Sequence, residues 1–143
     1  MFKKFINIIS KFRFFFSSLN ILIDLKNIKP KIIFFSENKS YQKYSKPIID
    51  ILCSKYSGQI YYFSIDKDDK INNKRINNYF VNPLLINFIF DNIKAENMFL
   101  TLTDLGNNLI KKTKNINKYI YYFHSPVSTT KNYTSKAFDN YDV

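Results

Sequence analysis

From residue 31 the chain alternates between two hydrophobic periods. Short solid runs, KIIFF at 31–35, QIYYFSI at 59–65, Met98 to Leu102 within NMFLTLTDLG, and KYIYYFHS at 118–125, are rich in β-branched and aromatic residues and bounded by polar turns. Such runs predict buried strands. Between them apolar positions recur at three and four, first at Tyr41, Tyr44, Ile48, Ile51 and Leu52, then at Leu84, Leu85, Phe88 and Ile93. That period predicts helices. Ser40 is placed to cap the first, Gly58 lies past its end, and Pro47 is placed to kink it. Pro83 opens the second, where its missing N–H costs nothing. INNKRINNYFVN reads as a polar loop ending in a short strand near Tyr79 to Val81, and NNLIKKTK as a short helix. Strands alternating with helices predict an α/β fold: a Rossmann-like three-layer domain with a mainly parallel sheet. Right-handed crossovers put helices on both faces.

The first 28 residues differ. In MFKKFINIISKFRFFFSSLNILIDL, Phe5, Ile8, Phe12, Phe16, Leu19 and Ile23 fall on one helical face, with Ile9, Phe15 and Leu22 beside them and Lys3, Lys4, Lys11 and Arg13 mainly elsewhere. A basic amphipathic helix over 1–28 follows, ahead of an α/β domain at 29–143. No apolar run approaches the roughly 20 residues that span a bilayer, and charges interrupt any signal-peptide core. Two roles fit the face equally: lying on anionic lipid, or packing on the domain's own core.

Composition narrows the chemistry. With 143 residues, 45% of them hydrophobic, the chain can bury a real core. Two glycines and no glycine-rich phosphate motif exclude the P-loop and common dinucleotide readings, so no cofactor is expected. One cysteine, Cys53, and one histidine exclude a Cys/His zinc site and an internal disulfide. The DKDDK turn at 66–70 lacks the glycine and distal glutamate of a calcium loop and reads as a solvated turn, leaving no metal site. The formal charge of +11 fits nucleic acid, an anionic membrane surface or a phosphate-rich substrate.

His124 ends the last aromatic run and opens the hydroxyl-rich loop SPVSTTK. In open α/β sheets ligands sit outside the carboxyl ends of the strands, and an imidazole there can take a proton near neutral pH. A histidine merely satisfied at a strand end is the structural alternative.

YYFHSPVSTTKNYTSKAFDNYD, taken with IIFFSENKSYQKYSKPIIDIL, IYYFSIDKDD and TLTDLGN, resembles the amino-terminal half of the CDP-glycerol glycerophosphotransferase family, the teichoic-acid polymerase type. The resemblance covers residues 31–143. It implies one half of a GT-B-like enzyme, in which two Rossmann-like domains face each other across a cleft. It assigns His124 as the base that activates an acceptor hydroxyl, with Ser125 here in place of the family's usual glycine. Ser125, Ser128 and Thr129 would then bond the acceptor, Lys131 would offset charge, and Asp104 would orient the histidine or acceptor. The structural alternative for Asp104 is a turn aspartate bonding its own backbone.

The implied partners are a CDP-linked donor, held by a carboxy-terminal half that this chain lacks, and a lipid-linked or polymeric acceptor. The implied place is the cytoplasmic side of the plasma membrane, bound peripherally through the basic helix. By this reading the chain alone is inactive. A non-catalytic membrane-surface module is the competing reading, and nucleic-acid binding ranks last because no RNA-binding signature appears.

Overall fold

In the computed structural model, the residues described are 20–25, 28–106, 109–124 and 133–143. In chain order they form β1 (Ile32–Ser36), α1 (Gln42–Lys55), β2 (Ile60–Ser64), β3 (Ile76–Phe80), α2 (Ile86–Asn92), β4 (Ala95–Leu100) and β5 (Ile116–Tyr121), and residues 20–25 are also helical. The strands make one sheet in the order β3-β2-β1-β4-β5, every pairing parallel. The predicted Rossmann-like α/β architecture is therefore the observed one.

Central strands buried on both faces must be apolar at every position, and β1 and β2 are fully buried along their length. Alternation divides their side chains. Ile32, Phe34, Ile60 and Tyr62 pack with Ile49 of α1 on one face. Ile33, Phe35, Tyr61 and Phe63 pack with Ile86, Ile89 and Phe90 of α2 on the other. Phe34 stacks on Phe99 of β4 at 4.6 Å, while Phe90 meets Phe35 and Phe63 edge-on. Burying a side chain of this size contributes about 1.5–3 kcal/mol.

The helices form where predicted but present different residues. Ile49, not Ile51, anchors α1, and Ile51 is exposed. The cap of the short 3₁₀ turn preceding α1 is Asn38, whose side chain accepts from the Ser40 N–H, not Ser40 itself. Phe88 of α2 faces outward, as does Leu84, which lies with Pro83 in the preceding turn, where Asn82 Oδ1 accepts from the Leu84 N–H.

Two segments depart from the expectation. β3 begins at Ile76, inside the stretch read as loop. Its Asn78 side chain accepts from the Ile71 N–H and donates to the Ile71 carbonyl, pinning the preceding loop as backbone would. Residues 109–115 are not helical; Asn87 of α2 holds them instead, donating to the Leu109 carbonyl and accepting from the Lys111 N–H.

Of the amino-terminal segment, residues 1–19 lie outside the described residues. Its end serves the core: Ile21 and Leu25 are buried beside α2, whereas Ile23, expected on the apolar face, is 72% exposed. No helix among the described residues is long and apolar enough to cross a membrane.

Candidate functional site at the carboxyl edge

The strand order reverses between β1 and β4, and in sheets of this kind a crevice opens at that point outside the carboxyl ends. Four chain exits converge there, after β1, β2, β4 and β5. His124 lies three residues past β5. Its ring packs edge-on against Tyr41, at 5.0 Å between centroids, and Tyr44, at 6.2 Å. Both tyrosines belong to the segment leaving β1, so the imidazole spans the end of the intervening β4.

The alternation that divides the core also sorts this edge. Tyr122 joins the α1 face, tilted against Phe34 at 6.0 Å, and Thr101, two residues beyond Phe99, continues the same side of the sheet. Thr101 is 2% exposed. Its Oγ1, the Tyr122 hydroxyl and His124 Nδ1 are all buried and lack a hydrogen-bond partner among the described residues. Buried polar atoms are nearly always paired, so these three, with the Tyr121 hydroxyl at the end of β5, leave room for an additional donor or acceptor at this edge. Burial holds the His124 imidazole below its ordinary value of 6.5. At neutral pH it is uncharged and able to accept a proton. Burial also pushes the Tyr122 ionisation far up, an effect only tempered by the nearby Ser45 hydroxyl, so that phenol serves as a neutral hydrogen-bonding group.

Beside this lies a carboxylate that sequence reading missed. The 66–70 turn is not uniformly solvated: Asp69 is 2% exposed. Its Oδ1 accepts from Gln42 Nε2 at 2.7 Å and its Oδ2 from Ser64 Oγ at 2.9 Å, and the Tyr62 hydroxyl reaches both oxygens at 3.0 and 3.1 Å. Asp66 accepts from the Lys39 N–H at 3.0 Å, tying the exit of β2 to that of β1. Tyr62 sits in an apolar strand run and Asp69 in a charged turn; only folding joins them. No group of three or more His, Cys, Asp or Glu among the described residues is arranged to hold a metal.

The other expected residues divide. Ser125, Ser128, Thr129 and Lys131 lie outside the described residues. Asp104 is at the carboxyl edge after β4 with φ +56°, a left-handed conformation that aspartate tolerates better than most residues. Its Oδ1 accepts from Thr134 Oγ1 at 3.1 Å and its N–H donates to the Ala137 carbonyl. It ties the β4 exit to residues 134–137 and does not reach His124 Nδ1, which has no partner among the described residues. Sequence reading also passed over Glu37, directly after β1. Burial raises its carboxyl above the usual 4.5, and burial together with the charge of Glu37 raises Tyr41. The available signal was an acid immediately following a solid apolar strand.

Comparison with protein-family models, with curated proteins and with solved structures finds no match to this chain.

Proposed function

We propose that the carboxyl edge is the acceptor side of a membrane-associated glycerophosphotransferase-like enzyme. Its reaction passes a phospho-alcohol from a CDP-linked donor to a hydroxyl of a cell-surface polymer or glycan. The observation that carries this reading is a neutral imidazole at the topological switch point whose buried Nδ1 has no partner among the described residues. In the proposed step the acceptor hydroxyl attacks the β-phosphorus of the donor, a new P–O bond forms, and the bond to CMP breaks. His124 takes the hydroxyl proton. Such transfers depend on positioning and charge stabilisation more than on covalent help, and the hydroxyls of Thr101 and Tyr122 offer neutral contacts for a polyol acceptor. The resemblance of residues 31–143 to the CDP-glycerol glycerophosphotransferase family supplies the donor class.

Because His124 is the chain's one histidine, its ring protons give an unambiguous NMR signal. Glycerol phosphate oligomers at millimolar concentration are expected to shift that signal, and a Tyr122→Phe variant to weaken the response. An imidazole signal indifferent to them would remove the acceptor assignment.

A further inference from the structure

A cavity lies at the opposite end of the sheet from His124. It measures about 440 Å³ and opens between the amino ends of β1, β4 and β5. Lys29, Lys94 and Lys114 stand on its rim, one at the entry to each of the three strands, with the Asn117 side of β5 between them and Glu96 as the only acid among the described lining residues. All three lysines are exposed, and none makes a salt bridge among the described residues. The backbone around the cavity is already paired: Ala95 N–H donates to Asn115 O, and Glu96 N–H to Pro30 O. The lysine ammoniums make no salt bridge among the described residues and are free to donate.

Parallel pairing fixes this convergence. It brings the β1, β4 and β5 entries side by side, so three lysines distant in sequence share one opening. The arrangement contrasts with the other end of the sheet, where Glu37, Asp66, Asp69 and Asp104 gather at the strand exits. Like charges around one cavity repel unless an anion sits among them, and the repulsion is stronger over low-dielectric protein than in bulk water.

We propose that this amino-edge cavity is a phosphoanion site, taking a ligand with at least two phosphate charges, separate from the carboxyl-edge crevice. Lysine suits this role as a point charge that needs no fixed bidentate geometry. The shared chemistry has two sources, a soluble phosphorylated ligand or the headgroup of an anionic lipid.

The test uses the intact chain with two probes, inorganic pyrophosphate and vesicles containing phosphatidylglycerol. The backbone amides of Lys29, Lys94 and Lys114 report binding by NMR, and co-sedimentation reports the vesicles. With K94Q/K114Q, affinity for the preferred probe is expected to fall at least tenfold, whereas Lys136→Gln at the other end of the sheet changes it less than twofold. The double variant is also expected to melt higher than the parent without ligand, because repulsion is relieved. Pyrophosphate binding identifies a soluble ligand, and vesicle binding alone identifies a lipid headgroup. If neither probe moves those amides, or if Lys136→Gln weakens binding as much as the double variant, the site is overturned.

Discussion

Two polar clusters lie side by side under the first turns of α1, and they are built oppositely. Around Asp69 every side-chain group has its complement: a phenol, a serine hydroxyl and a glutamine amide all donate to one carboxylate. Around His124 the Thr101 hydroxyl, the Tyr122 hydroxyl and the imidazole Nδ1 are buried and lack a hydrogen-bond partner among the described residues. The first cluster is complete and serves the fold, fastening the 66–70 turn to β2 and α1. The second is incomplete, and an incomplete buried polar group costs stability that a ligand can restore. Structural and functional polarity are thus told apart by satisfaction rather than by residue type.

The sharpest way to break this contrast is through chemistry. In an assembly competent for transfer, His124→Ala should lower turnover by about two to four orders of magnitude, the range for losing a positioned general base, while the melting temperature hardly moves. His124→Gln keeps a hydrogen-bonding shape without the base. Near-normal turnover in that variant would reduce His124 to a structural residue.

Asp69→Ala should give the next largest effect, and on stability alone. It strands two buried donors, the Tyr62 and Ser64 hydroxyls, for a loss of about 2–4 kcal/mol in urea unfolding. Asp69→Asn, which keeps one accepting oxygen, should lose less. If Asp69→Ala unfolds at the parent's urea midpoint, the network does not hold the turn.

A pair of matched deletions tests the contrast more finely. Tyr62→Phe removes a satisfied hydroxyl and should cost about 1–2 kcal/mol. Tyr122→Phe removes an orphaned one and should be neutral or stabilising by up to about 1 kcal/mol. Equal losses in the two would erase the distinction drawn here.

The smallest effect is in pH. Because burial depresses the His124 value below 6.5, the native state refuses a proton that the unfolded chain accepts. The contribution of His124 is therefore fully present above 6.5 and is lost as pH falls through 6.5 toward the lower native value. NMR titration of the single imidazole should give a midpoint under 6.5 that rises toward it in urea. A native midpoint at or above 6.5 would contradict the uncharged ring with its buried Nδ1.

The sequence by itself determined the α/β class, because solid apolar runs and three-four periodicity reflect local geometry and burial on two faces, which single segments encode. It also marked His124 as a strand-exit group. It did not determine which residue of each helix anchors: Ile49 and Ile51 are equally apolar, and only the packing of α1 on the sheet buries the first and leaves the second exposed. It marked only the end of β3, near Tyr79; the start of the strand at Ile76 is set by pairing with β2 and the Asn78 clamp. The partners of Asp69, the closeness of Tyr41 to His124 and the meeting of Lys29, Lys94 and Lys114 depend on strand order. Sequence separations of 85 residues between Lys29 and Lys114 carry no local signal. Strand order emerges from the total burial and pairing of the whole sheet, so only the tertiary structure could place these groups together.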